Sequence, residues 1–426
     1  MNAKLEVAKN YLRFKHQRFK SREELEQYQE RKIKKQINFV VKHSSFYREY
    51  KEKKLSEYPI MDKKTMMEHF NSLNTVGIDK DKALSFAIDS EKTRNFTPTL
   101  QNITVGLSSG TSDTRGVFLV SDREKNQWAG YILSKVLYGS LLGSYKIAFF
   151  MRADSNLYEA VKSKNIQFEF FDILKPISQC MQRLESFKPD ILVGQPSVLL
   201  EICNYMEEGA LQISPEKVIS IAEVLEEQDC EVIKKAFNLK IIHQVYQCTE
   251  GCLGVTCGYG ILHLNEDILH IEKEYLDDKR FIPIVTDFSR RSQPIIRYRL
   301  NDILIERKEM CPCGSCFTAL DRIEGREDDV FLFKNADNQQ VKVFPDFIRR
   351  CILFAGEIEN YRVVQDEDAS LHIYTDCGEE MREWITREFE KLADEMQFVL
   401  PELQFLPYCY DNRKKLKRVE SKIRRK

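Results

Sequence analysis

The chain has 426 residues, 42% hydrophobic and 31% charged; that is ample apolar material for buried cores and too long for one domain of common size, so about two or three are expected. Sixty-five Lys and Arg stand against 66 Asp and Glu, a formal net charge of −1, and no overall field recruits nucleic acid or an acidic membrane. The first residues mix charged with apolar groups (Lys4, Glu6, Lys9, Arg13, Lys15) instead of building a signal-peptide core, and no apolar run reaches membrane-spanning length, so a cytoplasmic protein is expected, without nucleic-acid or membrane partners.

Residues 1–56 place Tyr11, Phe14, Leu25, Tyr28, Ile33, Ile37 and Val40 at helical spacings. The segment Ser44–Tyr47 breaks that pattern, and Asp62, after Pro59, is a candidate N-cap for a further helix. Ile103–Leu107 reads as a strand entering a Ser/Thr/Gly-rich loop. Further strands are expected at Ile147–Met151, Ile191–Val193, Val218–Ile221 and Ile241–Val245. Helices are expected at Arg123–Tyr138, Ser178–Glu185, Ser197–Glu207 and Glu226–Ala236. This alternation predicts an α/β sheet with helices packed on it. From about Val330 the pattern turns α+β, with elements at Asp346–Phe354, Tyr361–Gln365, Ser370–Thr375 and Glu379–Met396. The tail from Asp411 carries nine Lys and Arg, which composition alone reads as a solvated charged end.

The loop Ser108-Ser109-Gly110-Thr111-Ser112-Asp113-Thr114-Arg115-Gly116 follows a strand. Short hydroxyl side chains and glycines let backbone N–H groups close on phosphate oxygens, and Arg115 supplies positive charge. It lacks the Gly-Lys-Ser/Thr ending of a Walker loop. Alone, it reads equally well as a polar surface turn.

Four later segments give it company. Tyr246-Gln247-Cys248-Thr249-Glu250, Pro294-Ile295-Ile296-Arg297-Tyr298-Arg299-Leu300-Asn301-Asp302, Gly325-Arg326-Glu327-Asp328-Asp329 and Lys414-Lys415-Leu416-Lys417-Arg418-Val419 follow in that order. Together with the loop they resemble the motif series of the adenylate-forming (acyl-CoA ligase-like) superfamily. Ser45-Phe46-Tyr47-Arg48, Tyr58-Pro59 and Gly194-Gln195-Pro196-Ser197 resemble its phenylacetate–CoA ligase and CapK-like branch. The resemblance runs over nearly the whole chain.

The resemblance implies a large α/β adenylation domain with mixed and parallel sheets (residues 1–327, of which 1–75 form a helical N-terminal segment) and a small mobile α+β lid (residues 328–426). It implies ATP-dependent conversion of a carboxylic acid into an acyl-adenylate, with release of pyrophosphate and transfer to a thiol, coenzyme A in the first instance. Ser108, Ser109, Gly110, Thr111, Ser112, Arg115 and Gly116 would hold the β- and γ-phosphates. Thr249 would meet the α-phosphate and Glu250 would hold Mg²⁺, a cation that prefers carboxylate and phosphate oxygens. Ala222, Glu223 and Tyr246 would border adenine. Asp302 would accept from the ribose hydroxyls, as an acceptor-only carboxylate can, and Arg326 would sit on the ribose or phosphate side. Lys415 would bridge the carboxylate and α-phosphate, and Asp328 would be the hinge of the lid.

Twelve cysteines are many for a chain without a secretory signal, and a disulfide framework is not expected. Cys311-Pro312-Cys313-Gly314-Ser315-Cys316 has ligand-like spacing, and Cys257 with His263 lies upstream. The branch resembled carries a similar arrangement. Cys257, His263, Cys311 and Cys313 are therefore the expected ligands of a structural Zn²⁺, with Cys316 as an alternative.

The sequence departs from the family pattern at Asp113, Gln247, Asn301 and Lys414. An acid at position 113 repels triphosphate unless it points outward or helps hold Mg²⁺. Two other readings stay open at this point: transfer to a carrier protein, an amine or a hydroxyl, and a nucleotide-binding protein with weak catalysis, for which Asp113 is the main support. The acid itself and a homodimer are also open.

Overall fold

The computed structural model describes residues 3–108, 116–151, 163–356, 358, 360–409 and 416–423. The chain divides into two compact units, one of Met1–Leu300 with Glu306–Asp321, the other of Asn301–Ile305 with Arg322–Lys426.

The first unit opens with helices Ala3–His16 and Arg22–His43. The second of these starts where Ser21 Oγ accepts from the Glu24 N–H and stops at Ser44. Gln29 on its buried face donates to the carbonyls of Glu266 and Leu269, and Arg22 pairs with Glu266 at 2.8 Å. The first helix lies against Asp122–Val136 so closely that a Cβ at Gly130 would sit 2.6 Å from Asn10 Cβ and from Val7 O. Only glycine allows that approach. Asp62 caps Lys63–Glu68 by accepting from Thr65 N, as expected. A helix at Lys80–Thr93, which the sequence reading passed over, packs with the hairpin Ile103–Leu107/Val117–Ser121 around Phe70, Ile78, Ala83 and Leu119.

The centre of this unit is a parallel sheet in the order Ile166–Asp172, Tyr145–Met151, Ile191–Gly194, Lys217–Ile221, His243–Cys248. Helices Ser178–Phe187, Pro196–Glu207 and Glu227–Phe237 cover it, burying Phe150, Phe171, Leu184, Leu199, Ile202 and Ile233 in one core. After His243–Cys248 the chain reverses. Gly251–Thr256 and Leu262–Leu264 continue the sheet antiparallel, with Ala319 and Leu320 beside the latter. A second antiparallel group is formed by Leu269–Tyr275, Arg280–Asp287 and Tyr298–Arg299.

The second unit contains the hairpin Phe331–Lys334/Gln340–Val343 and a four-stranded sheet in the order Leu403–Leu406, Leu371–Thr375, Tyr361–Gln365, Val419–Ser421. Helices Pro345–Ala355 and Glu379–Met396 close its core over Ile348, Ile352, Phe389 and Leu392. The fold is the mixed α/β architecture expected, with a smaller α+β unit.

Candidate active site and metal centre

Ligands of open α/β sheets bind beyond the carboxyl ends of the strands, where strand direction changes. Thr249 and Glu250 occupy that place. They form the turn after the last parallel strand, just past an irregularity in register at Tyr246/Gln247. Ser108, Gly116, Thr249 and Glu250 line one cavity of about 330 Å³, together with Lys63, Arg290, Gln293 and Tyr298. Sequence reasoning named the first four, and folding brings them together from two motifs far apart in the chain.

The neck of the Ser/Gly loop is fixed by two hydrogen bonds. Ser108 N donates to Gly116 O at 2.7 Å, and Gly116 N donates to Ser108 Oγ at 2.9 Å. Ser109, Gly110, Thr111, Ser112, Asp113 and Arg115 lie outside the described residues, as do Lys414 and Lys415. Gln293 clamps the hairpin beneath the neck, donating to Val117 O and accepting from Leu119 N. Arg290 donates to the carbonyls of Thr249 and Leu119, tying the turn to that hairpin. Tyr298 shares a side-chain hydrogen bond with Glu250; burial first, then this carboxylate, pushes the phenol far above its ordinary range, so it stays a neutral donor.

Ala222 and Glu223 follow strand Lys217–Ile221. Ala222 takes a left-handed φ of 64°, a conformation alanine adopts at a cost of about 1 kcal/mol. The turn aims Glu223 at the start of helix Pro196–Glu207, where its carboxylate accepts from Ser197 Oγ at 2.8 Å and from Ser197 N at 3.3 Å. Free N–H groups and the helix dipole both favour an acid there. Tyr246 is buried within its strand.

Asp302 and Arg326 belong to the second unit and stand 3.8 Å apart. Beside them Asn301 Nδ2 donates to Asp328 at 2.9 Å, and Lys417 pairs with the buried Asp329 at 2.9 Å.

The sulfur and imidazole groups expected to bind metal also converge. The ligand atoms of Cys257, His263, Cys311 and Cys313 all lie within 4.8 Å of one another; Cys316 is not part of the group. Cys257 and Cys311 head matching turns. Each is followed three residues on by a glycine with positive φ (Gly260 at 81°, Gly314 at 72°) whose N–H donates back to the cysteine carbonyl at 3.1 Å. The Cys257 and Cys311 sulfurs are 3.7 Å apart, and Cys313 Sγ is 3.5 Å from His263 Nε2. A disulfide needs about 2.05 Å. Tetrahedral Zn–S and Zn–N bonds of about 2.3 and 2.0 Å give edges of about 3.8 and 3.5 Å. His263 Nδ1 faces the Phe317 carbonyl at 3.3 Å, which leaves Nε2 as the ligand atom. The donor set and the spacing both fit zinc.

Three residues that sequence reasoning left without a role are built into this region. Arg290 and Tyr298 are those described above. Arg297 makes a two-pronged pair with Glu272, 2.9 Å at each contact, and donates to the carbonyls of Ser56 and Tyr58. The Arg-Tyr dipeptide was visible in the sequence, but its partners lie 25 to 241 positions away.

Over 92% of its length the chain superposes on 88% of 2-hydroxyisobutyryl-CoA ligase, crystallised in the postadenylation state with 2-HIB-AMP, with a TM-score of 0.66 at 15% identity. The chain has the fold of the adenylate-forming ligases. No family model matches it. Among curated proteins it is 32% identical over 139 residues to indoleacetate–lysine synthetase of Pseudomonas savastanoi, a match spanning 31% of this chain and 33% of that protein. It is 22% identical over 321 residues to protein CapK of Staphylococcus aureus, spanning 71% of this chain and 68% of CapK. No helix among the described residues is long and apolar enough to cross a membrane.

Proposed function

We propose that the protein activates a carboxylic acid with ATP and passes the acyl group to an acceptor. A carboxylate oxygen attacks the α-phosphorus, the bond to the β-phosphate oxygen breaks, and pyrophosphate leaves. The acceptor then attacks the acyl carbon and AMP leaves. The observation that carries this reading is the cavity lined by Ser108, Gly116, Thr249 and Glu250. It joins the neck of a hydroxyl- and glycine-rich loop to a carboxylate suited to Mg²⁺. The chemistry asks chiefly for alignment and for stabilisation of charge growing on the phosphates. Thr249 would donate its hydroxyl to the α-phosphate, Glu250 would hold Mg²⁺, and bound Mg²⁺ would supply charge neutralisation. The loop 108–116 would bind the outer phosphates, with Lys415 bridging the reacting groups. Ala222, Glu223 and Tyr246 would border the base, and Asp302 with Arg326 would serve the ribose. Zinc held by Cys257, His263, Cys311 and Cys313 would pin two loops and take no part in the chemistry.

For the acceptor, the resemblance favours the thiol of coenzyme A in a phenylacetate–CoA ligase-like reaction. A specific observation favours a second reading, an amine: the curated relative with the higher identity is named for joining indoleacetate to lysine. Pyrophosphate exchange into ATP across a panel of aliphatic and aryl acids tests the first half-reaction. Exchange with one acid is expected, and exchange with none, alongside ATP binding, would overturn the proposal. Adding coenzyme A or lysine to the exchanging acid, and looking for thioester or amide, decides the acceptor. Lys415→Ala should abolish exchange and spare transfer from supplied acyl-adenylate.

A further inference from the structure

Helices Ala3–His16 and Arg22–His43, the start of Asp122–Val136 and the segment Phe288–Arg291 line an open cleft. Arg13, Lys32, Lys35, Arg123 and Arg291 line it. None of the five forms an ion pair among the described residues. Three of them rest on aromatic rings instead. Arg13 lies 4.7 Å over Phe14, Lys32 5.1 Å over Tyr28, and Arg291 4.5 Å over Phe39.

The two acids on the wall are already engaged. Glu124 accepts from the N–H groups of Ser121, Arg291 and Ser292 and from the Ser292 hydroxyl. Asp267 accepts from the Tyr131 hydroxyl and from Lys135. The crowding of like charge is felt locally. Burial first, then Arg13, Lys35 and Arg31, lower Lys32 to about 8. Burial first, then Arg123, lowers Arg291. Cations gathered this way repel one another, and a bound anion relieves the repulsion.

This cleft shares no lining residue with the cavity around Thr249 and Glu250. Neighbouring arginines separate them: Arg290 lines that cavity and holds the Thr249 carbonyl, whereas Arg291 lines the cleft. We propose that the cleft is a second anion site that takes a small ligand carrying two or more phosphate charges. Five cations against two occupied carboxylates exceed what one phosphate neutralises, and the guanidinium forks of Arg13, Arg123 and Arg291 match phosphate oxygens. Such a ligand is either the phosphate end of a nucleotide-bearing acyl acceptor or a separate phosphorylated effector. The site stands whether or not adenylation does.

The test is trace labelling of the whole protein with an amine-reactive ester at constant ionic strength, read peptide by peptide. Lys34 is exposed on the same helix, does not line the cleft, and is the internal control. Millimolar inorganic pyrophosphate is expected to slow labelling of Lys32 and Lys35 and leave Lys34 unchanged. The double variant Arg13→Gln/Arg123→Gln should need about tenfold or more additional pyrophosphate for the same protection. Protection by coenzyme A at lower concentration than pyrophosphate assigns the ligand as an acceptor's phosphate end; protection by pyrophosphate alone assigns a separate effector. No protection, equal slowing of Lys34, or unchanged protection in the double variant would overturn the proposal.

Discussion

Tyr298 holds the Glu250 carboxylate by a side-chain hydrogen bond in the cavity that also receives Ser108, Gly116 and Thr249. Tyr298 is itself set by its backbone, paired with Val285 on one side and bridged to Met61 on the other. The carboxylate proposed to hold Mg²⁺ is thereby aimed by a residue from a distant strand.

Tyr298→Phe keeps the ring and removes the donor. Pyrophosphate exchange should fall about tenfold, with a raised requirement for Mg²⁺. Glu250→Gln should cost about a hundredfold or more. Mg²⁺ titrations of both variants check this; an unchanged Mg²⁺ requirement in Tyr298→Phe would remove the phenol from its assigned role.

Arg297→Lys should destabilise the first unit by about 2–4 kcal/mol, because the three N–H groups of an ammonium cannot reproduce the two-pronged pair with Glu272 and both carbonyl contacts. The midpoint of urea unfolding measures it. A midpoint equal to wild type would mean that the pair contributes nothing net.

Purified protein should contain about one zinc per chain. Cys311→Ser or His263→Ala should lose it and lower the melting temperature, as should a strong chelator, while Cys316→Ser keeps both metal and stability. Elemental analysis beside thermal melting reads both quantities. Metal-free protein with an unchanged melting temperature would contradict the assignment.

His243 has a buried Nδ1 without a hydrogen-bond partner among the described residues, and burial, then Lys217, pushes its imidazole down to about 4 from 6.5. The folded state therefore refuses a proton that the unfolded chain accepts. This group's contribution is fully present above about pH 6.5 and is lost as pH falls towards about 4. His270 is shifted the same way by burial, so the variant isolates one share. His243→Gln should lose less stability than wild type between about pH 7.5 and 5. Parallel loss in thermal melts at the two pH values would rule His243 out as a contributor.

Much was legible in the sequence because it is encoded locally. Ile103–Leu107, Tyr361–Gln365 and Glu379–Met396 stand at the bounds expected, since hydrophobic period and flanking turns lie within each segment. The short strands between Gly251 and Arg326 were not anticipated. Their pairing is antiparallel and their partners are set by register, which no local period records. The motif order identified the fold before any contact was known, and the Cys/His spacing named four residues that do converge.

What the sequence determined by itself was therefore the chemistry available: a phosphate-type loop, a Thr-Glu turn, a thiol and imidazole set, and an α/β scaffold. What only the tertiary structure decided was which groups meet. Tyr298 reaches Glu250, Arg290 ties Thr249 to the loop hairpin, and five cations from four segments gather on one cleft. The reason is physical: residue type and spacing fix local backbone geometry, whereas partners tens to hundreds of positions apart are chosen by the packing of the buried cores.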